Sequence, residues 1–143
     1  MIKTWDRDNL VRELNMDKKL FEAGLATRSK VLGKDYVEKS LAAADDFSRP
    51  MQELVTSYCW GEIWNRPGLD HRSRSILNLG MLMALNRHHE FKLHVKGALN
   101  NGLTREEIRE IILQAAIYCG VPAGVESTRL AREVFAEIDG QKA

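Results

Sequence analysis

The sequence is short of the residues that mark several large classes of protein. It has 2 cysteines, Cys59 and Cys119, in 143 residues. That is too few for a disulfide scaffold, and their separation forms no C-x-x-C redox pair or zinc knuckle. Neither sign of charge is in surplus: 21 Lys and Arg stand against 20 Asp and Glu, a formal net charge of +1. Bulk nucleic-acid binding needs a cationic excess to neutralise phosphates, and none is present. No apolar run approaches the span of about 18 residues that a membrane helix requires, and Met1–Leu10 contains no apolar signal core. A Gly-rich phosphate loop and a G-x-S-x-G elbow are also missing. These absences predict a soluble, cytoplasmic protein with neither nucleic acid nor membrane as partner. What is present is an ordinary globular mixture, 44% hydrophobic and 29% charged, enough for one packed core.

The apolar spacing is helical from about Asp17 onward, with no strand alternation and no internal repeat. Residues 1–15 are charged and weakly patterned, and are expected to form a loose arm. The folded domain is expected over 16–138, with 139–143 as a tail. A helix is predicted from Asp17 to Val31, stopped by Gly33, then a short one over Tyr36–Ala44. Ser48-Arg49-Pro50 supplies an N-cap and a first-turn proline for a helix reaching Trp64. Projected at the α-helical period, Met51, Leu54, Val55 and Tyr58 form its core stripe, with Trp60 and Trp64 on the opposite side. Such a two-sided helix packs against a second subunit or walls an aromatic pocket. Asp70 caps the next helix, in which Asn78 is the only polar residue between Ile76 and Leu85, so it is expected to be central and buried. Another helix spans His88–Asn101, with Phe91, Val95, Ala98 and Leu99 inward. Thr104 and Glu107 form a capping box for a helix ending near Cys119, and after Gly120-Val121-Pro122 a last helix runs to Ile138. The fold class is all-α, a bundle of six to seven helices.

Arg72, Arg74 and Arg87 bracket the apolar helix. They either cap carbonyls and pair with surface carboxylates, or form a guanidinium clamp for ligand carboxylates. Glu90 and His94 are four residues apart and share a helical face, which suits either an acid–base pair or a structural hydrogen bond. His88, His89 and His94 lack the i, i+4 spacing of a helical zinc site, so no metal is expected. Cys119, with no basic neighbour in sequence, is expected to be a buried packing thiol.

Several runs taken together resemble the 4-carboxymuconolactone decarboxylase family. They are Tyr58-Cys59-Trp60-Gly61-Glu62-Ile63-Trp64, Arg66-Pro67-Gly68-Leu69-Asp70 and Arg72-Ser73-Arg74-Ser75, then Glu90-Phe91-Lys92-Leu93-His94-Val95, Ala98-Leu99-Asn100-Asn101-Gly102, Thr104-Arg105-Glu106-Glu107-Ile108 and Tyr118-Cys119-Gly120-Val121-Pro122. The resemblance covers about Leu20 to Phe135. The chain departs from the family pattern at Ser29, which follows Arg28 where a second arginine is common, at Cys59 in place of alanine, and at Gly124-Val125 in place of Ala-Asn. The wider alkylhydroperoxidase-like superfamily carries C-x-x-C followed three residues later by His; aligned on His94, those cysteine positions are Arg87 and Glu90 here. The missing dithiol disfavours thiol-dependent peroxidase chemistry, which stands as the alternative beside a non-enzymatic member with a vacant pocket.

The resemblance implies cofactor-free decarboxylation of 4-carboxymuconolactone to 3-oxoadipate enol-lactone and CO₂, in the protocatechuate branch of aromatic catabolism. On this reading Arg74 and Arg87 hold the dianionic substrate with help from Arg28 or Arg72. His94, oriented by Glu90, supplies a hydrogen bond or a proton, and Trp60, Trp64 and Tyr118 exclude water. The apolar surface of the two-sided helix and of the Ile76–Leu85 segment predicts a homo-oligomer, and the resemblance implies a trimer or a hexamer.

Overall fold

A computed structural model describes the backbone of residues 7–142 and the side chains of residues 17–142. Among the described residues the chain is all-α, as expected, with no strand and no helix long and apolar enough to cross a membrane. It divides into two compact units, the first ending at Pro67 and the second beginning at Gly68.

Unit 1 begins with α1 (Arg7–Leu32), followed by α2 (Lys34–Ala42), α3 (Arg49–Leu54) and a π-helical segment over Val55–Ile63. Helix α1 starts at Arg7, so residues 7–15 of the expected loose arm are helical; the remainder of that arm lies outside the described residues. Gly33 separates α1 from α2 with φ +96°, a conformation that only glycine takes without strain. Pro50 sits in the first turn of α3 as expected. Ser48, however, does not cap it with its hydroxyl, which donates instead to Asp45 Oδ1 at 2.8 Å.

The single helix expected over residues 49–64 is therefore two pieces, and the difference reverses its faces. Trp64 N donates to Cys59 O at 3.0 Å, an i→i+5 bond. A ladder of such bonds carries more than 3.6 residues per turn, so side chains drift around the axis relative to an α-helical projection. Trp60 and Trp64 are buried at 3% and 4% exposure, while Met51, Leu54 and Tyr58 of the expected core stripe are more than half exposed. The two indoles stack with centroids 4.6 Å apart. They pack with Val31, Leu32 and Val37 in the core of unit 1 itself. Helix α1 and the π segment approach closely through glycine. A Cβ on Gly24 would stand 1.7 Å from Thr56 O, and one on Gly61 2.3 Å from Leu20 O.

Unit 2 contains α4 (His71–Ala84), α5 (His88–Asn100), α6 (Arg105–Cys119) and α7 (Val121–Gln141). Its boundaries follow the expected chemistry. Asp70 accepts from Ser73 N at 2.7 Å, the Thr104–Glu107 capping box is complete, and Gly102 and Gly120 take positive φ. Helix α7 continues through 139–141, part of the expected tail. The core joins Leu79 and Met83 of α4, Phe91, Val95 and Ala98 of α5, Ile108 and Ile112 of α6, and Leu130, Ala131 and Val134 of α7. Helix α4 is not buried all round: Leu77, Met81 and Leu85, successive turns of one face, are exposed. Only its Ser75–Leu79–Met83 stripe is inside. Cys119 is exposed rather than a packing thiol, because the α6 stripe that points inward ends before it.

Candidate active site

Helix α5 turns Phe91, Val95 and Ala98 into the core of unit 2, which leaves His94 at the margin of that face and partly covered. Its imidazole meets α4 at Asn78, whose Nδ2 lies 3.4 Å from His94 Nδ1. With the amide nitrogen donating, Nδ1 is the acceptor and the ring proton resides on Nε2. Burial pushes the His94 pKa down from the usual 6.5 to about 4, and the negative charge of Glu90 opposes that shift. His94 is thus a neutral imidazole at pH 7. A neutral ring with a proton on Nε2 is a hydrogen-bond donor suited to an oxygen that gains negative charge.

Glu90, expected to orient His94, is exposed and acts on it by charge. Asn78 is a side chain at hydrogen-bond distance from His94. Its signal was present in the sequence as the one polar residue of an apolar helical stretch, but its partner lies on another helix, 16 positions away.

The arginines have separate fates. Arg72 forms an exposed ion pair with Glu107, the acidic member of the capping box. Arg74 is half-buried, and its Nε donates to Leu69 O at 3.1 Å, the carbonyl-capping alternative. Arg87 is exposed at the N-cap of α5. In unit 1, Arg28 on α1 is 5% exposed. Its Nη1 donates to Gln52 Oε1 at 2.9 Å and to Thr56 Oγ1 at 3.1 Å.

Trp60 and Trp64 are core residues of unit 1, as described, and Tyr118 is 82% exposed at the end of α6. Desolvation pushes the Cys59 thiol up from its usual range, although Arg28 and a Trp64 hydrogen bond pull the other way. A thiol held protonated is a weak nucleophile, which counts against peroxidase chemistry at Cys59. The histidines diverge: His88 Nδ1 faces Glu126 at 3.9 Å, whereas His94 faces Asn78. Among the described residues no group of three or more His, Cys, Asp or Glu side chains gathers to hold a metal ion.

Residues 49–133 match the Carboxymuconolactone decarboxylase family. The chain is 47% identical over 112 residues to the nitrosuccinic acid decarboxylase npaB of Metarhizium robertsii, which covers 78% of each chain. It is 37% identical over 122 residues to the 4-carboxymuconolactone decarboxylase of Acinetobacter baylyi, covering 85% of this chain and 91% of the relative. The chain belongs to the carboxymuconolactone decarboxylase family. An uncharacterized 15.0 kDa protein of Paracoccus denitrificans is 33% identical over 100 residues, 64% of this chain and 75% of its own. The match to the carboxymuconolactone decarboxylase family runs from the first residue of α3 into α7. It takes in the π segment, the Asn78–His94 pair, Glu90 and the arginines of unit 2, while Arg28 lies on the N-terminal side of it.

Proposed function

We propose that this protein is a carboxy-lyase that decarboxylates 4-carboxymuconolactone to 3-oxoadipate enol-lactone and CO₂ without a cofactor, in the cytoplasm. The observation that carries the reading is a neutral His94, held by Asn78, in a chain of the carboxymuconolactone decarboxylase family. In this substrate the ring carbon that bears the departing carboxylate is joined through a C=C bond to the lactone carbonyl. When the C–C bond to CO₂ breaks, its electron pair spreads to the carbonyl oxygen and leaves a dienolate. The substrate is its own electron sink, the task that pyridoxal or thiamine performs in other decarboxylases. His94 Nε2–H donates a hydrogen bond to the oxygen that gains charge. A proton then returns to carbon and completes the product. Arg74 and Arg87 are the unit 2 cations proposed for the substrate carboxylates, Arg74 in addition to the bond its Nε gives Leu69 O, whereas Arg72 is engaged by Glu107.

A second substrate is favoured by the 47% identity to the nitrosuccinic acid decarboxylase. Nitrosuccinate is also a dicarboxylate whose leaving carboxylate adjoins an electron sink, with the nitro group taking the electron pair as a nitronate. The same neutral donor serves both anions. Supplying each compound separately and following substrate loss with CO₂ release tests the reading. Turnover of 4-carboxymuconolactone in preference to nitrosuccinate is expected, the reverse preference assigns the second substrate, and turnover of neither removes the proposal. The exposed apolar faces of α4 (Leu77, Met81, Leu85) and α6 (Leu113, Ile117, Tyr118) support a homo-oligomer; a trimer or a hexamer is what the family resemblance implies.

A further inference from the structure

Arg28 stands apart from the other arginines of the chain. A guanidinium at 5% exposure is costly to keep charged unless an anion accompanies it. Its hydrogen-bonding partners, Gln52 and Thr56, are both neutral. Among the described residues no carboxylate pairs with it. Both bonds use Nη1, so the side-on edge formed by Nε and Nη2 has no partner there, and Nε is a fully buried donor with no acceptor. Desolvation lowers the Arg28 pKa, as expected of a cation without a counter-charge. A native fold seldom leaves such a donor unsatisfied, and each instance calls for a physical reason.

The neighbourhood supplies one. The Nε/Nη2 edge of arginine presents two parallel N–H donors that match the two oxygens of a carboxylate. Gln52 and Thr56, at the junction of α3 and the π segment, hold Nη1 and so fix the plane of that fork. The close backbone approach at Gly24 and Gly61 ties α1 to the same segment, so the fork is presented from a rigid support. A lysine could not offer this geometry.

We propose that Arg28 is a carboxylate-binding residue, its Nε/Nη2 edge receiving one carboxylate of a small dicarboxylate. The anion site rests on the geometry of unit 1 alone; that its ligand is of the dicarboxylate class rests on the decarboxylase reading.

Titration calorimetry with succinate, a dicarboxylate that has no electron sink and does not react, tests the site directly. The comparison sets wild type beside Arg28→Met and Arg28→Lys, with thermal unfolding of each protein free of ligand. Wild type should bind succinate saturably. Arg28→Met should weaken binding by about ten- to a hundredfold and unfold at the same or a higher temperature, because it removes an uncompensated buried charge. Arg28→Lys keeps the charge but not the fork, and should still bind several-fold more weakly. Wild type that takes up no succinate would overturn the proposal. So would wild-type affinity in Arg28→Lys, or an Arg28→Met protein that melts lower yet binds as wild type does. Succinate binding that depends on Arg28, in a protein inert toward both proposed substrates, would sustain the anion site and sink the decarboxylase reading.

Discussion

His94 is the residue to which the proposed chemistry assigns the key hydrogen bond, and its neutrality makes that role testable in two independent ways. Replacing it with Leu removes the Nε2–H donor. The loss of kcat should be about 10²–10³-fold, the usual effect of deleting one donor to a developing oxyanion. Asn78→Ala should cost less, because it frees the ring to change tautomer without removing it. Glu90→Gln should be milder still, since Glu90 is exposed and acts by charge. The Asn78→Ala/His94→Leu double variant should be no worse than His94→Leu, as the pair acts as one unit. Steady-state kinetics on the four variants checks this order. The second test is stability against pH. The folded protein holds the His94 pKa at about 4, below its ordinary 6.5. As pH falls below 6.5, the unfolded chain takes up a proton that the folded chain refuses, so stability declines until about pH 4 and then levels. The full loss from this residue is about 3 kcal/mol. Urea unfolding at pH values on either side of this window should show that part of the decline missing in His94→Leu.

At the scale of elements, the α3–π junction is where local pattern and structure part company. Capping chemistry was legible because it is local: Asp70 to Ser73 and Thr104 to Glu107 are three residues apart, and both caps form. The π segment was not, because its widened turn depends on what lies against it. Helix α1 meets it through two glycines, and a methyl group at Gly24 would overlap Thr56 O at 1.7 Å. Backbone cannot rotate away as a flexible side chain can. Gly24→Ala should therefore destabilise unit 1 by about 3 kcal/mol or more. Thermal unfolding measures it, and an unchanged melting temperature would refute the close approach. Because Thr56 also holds Arg28, the same variant should weaken succinate binding in whatever fraction remains folded.

For the whole molecule, exposed apolar side chains are the informative feature. Ile117 and Tyr118 are at least 80% exposed, and Leu85, Val121 and Val125 more than 60%. Water-facing groups of this size, at the end of α4 and along α6 and α7, are the kind of surface that the proposed oligomer would cover. Light scattering should return a multiple of 16.3 kDa, and Leu77→Glu/Met81→Lys should shift it toward the monomer. A monomeric wild type at micromolar concentration would refute the oligomer. Activity should be unaffected by chelators and reductants, since the proposed chemistry runs on hydrogen bonds and guanidinium groups; loss on chelation with recovery on adding one divalent metal would contradict it.

The all-α class, the Asp70 and Thr104 caps, the glycine stops and the inward stripe of α5 were settled by composition and spacing, because each depends on neighbours a few residues away and on one periodicity. The resemblance in the runs around Trp60, Arg74 and His94 likewise carried the family. Contacts between helices lay beyond that reach. Which face of residues 51–64 turns inward followed from i→i+5 bonding and packing on α1, and it placed the tryptophans in the core. Asn78, not Glu90, came to hold His94 because two helices cross there. Arg28, a minor helper by sequence, emerged as a buried cation whose Nε has no acceptor among the described residues, since burial and unmet donors are properties of packed space and leave no mark on the order of residues along a chain.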